Sequence, residues 1–313
     1  MALMLTRPAI AFLLSSLPLL GLELESPFPR EGVPVRFTIE EENDKFGTDN
    51  LDRYYTQGLR FTMQSGDHAY LALSQEINTP ADTSNPNPPA TDMAYSGALY
   101  VAYGYGHVFS RGGRNDLLAS VELKVGVIGP AAGAETIQNK FHDLIGQPAA
   151  AGWGTQTPNE PTFNLDGELR RRFGSDSLDF TLRTVAQLGT MRTGFIAGGQ
   201  LRYGRGLSSS WGAGTIRSNN AYLGPAVAKD GFRWHVYADL QAEAVISNYA
   251  TDGGHFKESP GVERRGAVGQ VAVGAAMSYG DFSLSVFNAV RTYEFETQDE
   301  AHHFGGFKAG LQF

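Results

Sequence analysis

The chain has 313 residues, a formal net charge of −8 and no Cys. An acidic balance without any Lys/Arg run offers no phosphate-neutralising surface and argues against nucleic acid as a partner. The absence of Cys excludes disulfides, thiolate metal sites and a lipidated N-terminal Cys, and the length suits two ordinary domains or one all-β barrel.

The N-terminus carries Arg7 and then the apolar run AIAFLLSSLPLLGL (9–22). Too short to span a bilayer, that run has the form of an export-signal core, which predicts a signal peptide over 1–25 and a mature unit over 30–313. No other segment approaches eighteen consecutive apolar residues, so a helical membrane protein is excluded.

Alternation with period two then dominates. Residues 163–173 place Phe163, Leu165, Leu169 and Phe173 on one face against Asn164, Asp166, Glu168, Arg170 and Arg172. Residues 178–188 repeat the pattern. In 234–246, Trp234, Val236, Ala238, Leu240, Ala242, Ala244 and Ile246 alternate with His235, Tyr237, Asp239, Gln241 and Glu243. Dyad segments of about ten residues or more are what a membrane barrel requires, with the apolar face to lipid and the polar face to the lumen. Sandwich strands are shorter, about five to six residues.

The predicted fold is an all-β, twelve-stranded antiparallel transmembrane barrel. Its strands fall over 34–43, 53–65, 68–77, 94–109, 117–128, 162–173, 177–189, 192–204, 232–247, 266–279, 281–295 and 303–313. Short turns (65–67, 110–116, 173–177, 278–281) follow every second strand, and the alternate connections are mostly long and polar, as at the periplasmic and extracellular ends of such barrels. Residues 205–231 break that rule, being long on the short-turn side. Either they fold at the periplasmic mouth or the strand count fails nearby. The last strand alternates Phe307, Ala309, Leu311 and Phe313, a terminal aromatic strand like the one by which outer-membrane barrels are recognised for assembly.

One insertion, 127–161, holds the only convincing helix. Ile137, Phe141, Leu144 and Ile145 recur at helical spacing, and Gln138 and His142, four apart, meet on one side. A polar pair on a short helix at the end of a strand array is a candidate chemical site, with a loop-capping His as the alternative. The topology gathers Asn43, Asp44, Thr56, Gln138, His142 and Glu160 at one rim. No G-x-S-x-G elbow and no H-E-x-x-H are present. Ser208, Ser209 and Ser210 have the setting of solvated turn residues. Asp44, Asp49, Asn50 and Asp52 supply hard oxygen ligands of the type calcium uses, without helix-loop-helix spacing. A polar hairpin is the equal alternative.

FTIEEEND (37–44), DRYYTQGL (52–59), YSGALY (95–100) and VGVIGPAAG…QNKFHDLIG…GW..Q..NEP (125–161) resemble the outer-membrane lipid A 3-O-deacylases. The likeness runs from the first strand through the large loop and on to the terminal Phe. It implies a site at the outer-leaflet level of the wall and calcium-dependent hydrolysis of the 3′-linked acyl group of lipid A. By position, His142 would be the general base, Asn43, Asp44 and Thr56 would line the site, and Gln138 would stand beside the His; Asp44 and Gln138 would face the metal. Two positions depart. Six residues after the His, where the family has a Glu, stands Pro148, and the second long loop (78–92) lacks the family's Lys. Glu160, in the same loop, is the expected substitute acid, because Asp143 points about 100° away from His142. The chain is thus expected to be a monomeric outer-membrane esterase acting on lipopolysaccharide among outer-membrane lipids. The alternatives are a non-catalytic barrel, porin-like or surface-binding, and a phospholipase.

Overall fold

The structure, a computed structural model, describes residues 26–47, 52–111, 114–226 and 231–313. The expected export signal, Asp49 and Asn50 lie outside the described residues. Twelve strands form a closed antiparallel barrel in which each strand pairs with its chain neighbours and the first pairs with the last. They are β1 (Val35–Asn43), β2 (Tyr54–Ser65), β3 (Ala69–Thr79), β4 (Ser96–Arg111), β5 (Arg114–Ile128) and β6 (Glu160–Gly174), then β7 (Leu178–Gly189), β8 (Arg192–Arg205), β9 (Arg233–Asn248), β10 (Ala267–Tyr279), β11 (Phe282–Arg291) and β12 (His302–Gln312).

The dyad pattern is the cause of this arrangement. Along β9, Tyr237, Asp239, Gln241 and Glu243 are buried, whereas Val236, Leu240 and Ile246 are exposed on the outer face. Closure satisfies every ladder and leaves no sheet edge, the condition for crossing lipid with strands. Each expected strand is found. The eleventh ends at Arg291 rather than 295, because Glu294 and Phe295 turn to meet the β9–β10 connection: the Glu294 carbonyl accepts from Arg265 N–H, and Phe295 bridges Arg264.

The exceptional connection explains itself in space. Residues 206–226 fold inward, into the lumen. Apart from one short 3-10 turn (Leu207–Ser209), their described backbone has no regular structure, so its polar groups need partners. The inner face of the wall supplies them. Carboxylates of Glu42, Glu122 and Glu168 accept from the N–H groups of Ile216, Ala221 and Asn220, at 2.8, 2.9 and 3.2 Å. The Arg60 guanidinium donates to the carbonyls of Ile216 and Asn219, at 2.7 and 3.2 Å. Trp211 and Tyr222 pack with Tyr70, Ala72 and Ala102 of the wall. Higher in the lumen, Arg217 of this segment lies 3.4 Å from Glu294, which also pairs with Arg291 at 3.0 Å, while Glu76 pairs with Arg192. Buried charges are tolerated only in such company.

Candidate functional site

On β3 and β4 the lumen-facing residues are Glu76 and Ala98, so their neighbours Ile77 and Gly97, paired in register, face outward. The helix of the large insertion, α1 (Ala134–Ile145), packs on this outer face. Gly97 makes that possible, because a Cβ there would come within 2.4 Å of the Ala134 Cβ. Gln75 of β3 donates to the Ala132 carbonyl at 2.7 Å, and Ile77, Tyr95, Ala134, Ala150 and Trp153 form a buried cluster beneath the helix. α1 ends at Gly146, whose φ of 71° sends the chain back so that Gln147 N–H reaches the His142 carbonyl at 2.8 Å.

Gln138 and His142 are the residues α1 turns toward the protein, at 3% and 5% exposure. The apolar stripe read from the sequence is the exposed one. The ring of His142 is held from both sides: Nδ1 lies 2.7 Å from the Pro148 carbonyl, and Nε2 lies 2.8 Å from Asp52 Oδ2. Both partners are acceptors: a proton on Nδ1 serves the Pro148 carbonyl, and Nε2 is the nitrogen that faces the Asp52 carboxylate. Gln138 bridges the site to the loop floor. Its Nε2 donates to Asp52 Oδ1 at 3.1 Å and its Oε1 accepts from Trp153 Nε1 at 2.8 Å.

Asp52 arrives from the β1–β2 hairpin, and so does Asp44. Asn43 accepts from Lys45 N–H at 2.9 Å and thereby caps the 3-10 turn Asp44–Phe46. Asp44 Oδ2 accepts from Arg53 N–H at 2.7 Å. Its Oδ1 is buried with no hydrogen-bond partner. Burial pushes the Asp44 carboxyl well above the usual carboxylate range, and the neighbouring Asp52 charge adds to the rise. At the start of β2, Tyr54 is the one non-glycine with positive φ among the described residues, at 61°, and a bulge follows between Tyr55 and Gln57. The bulge re-aims Thr56, whose hydroxyl meets that of Thr79 at 2.7 Å.

Asn43, Asp44, Gln138 and His142 therefore converge with Asp52 at one rim, and Thr56 stands on the same rim with its hydroxyl turned to Thr79. Glu160 does not join them. Its carboxylate opens β6 and accepts the backbone N–H groups of His255, Phe256 and Lys257, at 2.7, 2.9 and 2.6 Å, which fastens the β9–β10 connection. The acid at the ring is Asp52, which composition had grouped with oxygen ligands. The signal available was topological: Asp52 immediately precedes β2, at the rim where the large loop lies. At the departure six residues after His142, the main-chain carbonyl of Pro148 holds the ring nitrogen.

Among the described residues no group of three or more acidic or His side chains is arranged to hold a metal. The orphaned Asp44 Oδ1 next to a second carboxylate nevertheless fits a hard cation, since such an oxygen is costly to bury without a partner. The Gln138 oxygen is already engaged by Trp153.

A profile of the family described as outer membrane protein LpxR matches residues 10–313. In structure the chain is similar to LpxR from Salmonella typhimurium, at 22% identity over 88% of this chain and 99% of that one, with a TM-score of 0.76, which shows the fold. The β domain of the Bordetella autotransporter BrkA is 12% identical over 90% of this chain and 98% of its own, with a TM-score of 0.43. A KdgM porin in complex with disordered oligogalacturonate is 10% identical over the same shares, with a TM-score of 0.36. Neither score carries further meaning. No curated protein matches at a significant level.

Proposed function

The chain belongs to the LpxR family of outer membrane proteins, and on that premise we propose that it is an esterase of the outer leaflet that removes the 3′-linked acyl chain of lipid A, with His142 as the base. The observation that supports this most is the His142 ring on the outer flank of the wall, with Nδ1 fixed by the Pro148 carbonyl and Nε2 at Asp52.

The carbonyl at Nδ1 keeps a proton there, so Nε2 is the nitrogen that takes a proton from water. Asp52 stabilises the ring once it is doubly protonated, as the carboxylate of a hydrolase triad does. It also covers Nε2 at rest, so Asp52 shares that nitrogen with the attacking water or yields it. The water oxygen adds to the ester carbonyl carbon, and the ester C–O bond then breaks. The leaving sugar oxygen takes the proton held at Nε2, and the products are a free acid and a sugar hydroxyl. Asp44, through its unpartnered oxygen, would hold a divalent cation such as calcium, which when bound supplies positive charge to the developing oxyanion. Gln138 keeps Asp52 in register with the ring.

The lumen filling by 206–226 speaks against the porin-like alternative. The direct test is mass spectrometry of lipid A from cells that make the protein and from cells that make the His142→Ala variant. Loss of the 3′ acyl chain only with the native protein is expected. Identical lipid A in all cells overturns the hydrolase.

A further inference from the structure

Successive residues of a helix advance about 100° around its axis, and on α1 this yields three sectors. Ala134, Gln138 and His142 are buried against the wall. Glu135, Thr136, Lys140 and Asp143 form an exposed polar sector. Ile137, Phe141, Leu144 and Ile145 form a third, apolar and exposed, with Leu144 at 81%. An apolar stripe turned away from the protein is unfavourable in water, at roughly 25 cal/mol per Å² of apolar surface left wet.

The position of α1 says what covers it. Its first turn rests on Gly97 of β4, and His142 meets Asp52 ahead of β2. The axis therefore crosses β3 and runs along the rim instead of along the strands. Farther down the strands, the outer face of the wall from β11 and β12 round to β4 forms an apolar hollow of about 510 Å³, lined by Ile39, Phe61, Leu71, Leu73 and Val101 among others. Leu73, Gln75 and Ile77 follow one another outward along β3: the first lines the hollow, the second bonds the chain ahead of α1, and the third lies under the helix. The exposed stripe of α1 is thus continuous with the lipid-facing belt of the wall.

We infer that α1 is an interfacial helix: Ile137, Phe141, Leu144 and Ile145 lie among the acyl chains of the outer leaflet, while the Glu135–Asp143 sector faces water. A helix with a charged face and an apolar face lying in the interface plane has this form. The inference rests on the outer-membrane placement of the family and not on hydrolysis.

The absence of Cys makes the test direct. Spin labels are attached singly at Leu144→Cys and Lys140→Cys on α1, and at Leu240→Cys on the outer face of β9, in the full chain reconstituted into phosphatidylcholine vesicles. Collision rates with oxygen, which partitions into lipid, and with a water-soluble nickel chelate are then measured. Leu144 is expected to match Leu240, with oxygen dominant severalfold, and Lys140 to show the reverse. An Ile137→Cys label gives a second apolar position should one label disturb the helix. If both apolar positions favour the nickel chelate as Lys140 does, the immersed helix is overturned. The depth is read without turnover, so a failure of hydrolysis leaves the result standing, and an outcome against immersion leaves the hydrolase untouched.

Discussion

Two long insertions leave this barrel, and they go to opposite surroundings. The β5–β6 insertion lies on the outside of the wall, and residues 206–226 lie inside it. The difference is in how each satisfies its own backbone. α1 closes its hydrogen bonds internally, so its outer stripe can tolerate surroundings that offer none. The 206–226 segment closes few, and its N–H and C=O groups are met by Glu42, Glu122, Glu168 and Arg60. Only the lumen offers such partners. The inward polarity of the strands therefore serves as a lining for irregular chain as much as for water.

Four experiments sharpen or break this contrast. The greatest effect is expected at the outer insertion: His142→Ala or Asp52→Asn should lower lipid A deacylation about 10²–10⁴-fold, the usual span for a positioned proton-transfer group. Mass spectrometry of lipid A reads this, with heat-modifiable gel mobility showing that the barrel persists. Next, Gly97→Leu should push α1 off the wall, since even a Cβ meets Ala134. Deacylation is expected to fall about tenfold or more, from a displacement on the order of 1 Å at the reacting groups, with gel mobility again unchanged. Inside, Arg217→Ala strands Glu294 beside its remaining partner. Urea unfolding in vesicles should show a loss of about 3–5 kcal/mol, as when one member of a buried pair is removed, with deacylation largely retained. The smallest effect is expected for Glu160→Gln, which weakens three amide contacts at the β9–β10 connection. A stability loss of about 1–3 kcal/mol with near-native deacylation would separate Glu160 from the ring, and a deacylation collapse matching that of Asp52→Asn would restore it as the catalytic acid.

The barrel was legible because period two is a property of each strand alone, and Trp234 to Ile246 display it without reference to any other segment. The inward insertion was visible as a break in the alternation of connection lengths. Its destination was not, because the partners of Ile216 and Ala221 lie far away in sequence, on β1 and β5. At the site, the topology placed Asn43, Asp44 and His142 on one rim. Glu160 was expected beside the ring but lies at the β9–β10 connection, and Asp52 stands there instead, because the fold that brings the residues just ahead of β2 up to His142 is a tertiary matter. Periodicity gave α1 a stripe but no direction. The habit of turning apolar residues inward assumes water outside, and the exterior of this wall is hydrocarbon.

The grip of Pro148 on His142 has one more consequence. Its oxygen belongs to the peptide unit, so no single amino-acid exchange at position 148 can delete it. The tautomer is guaranteed by the route of the chain after Gly146, and only a rerouted loop could release it. A site of this construction is resistant to point substitution at its orienting group and vulnerable to insertions or deletions of one residue between His142 and that peptide.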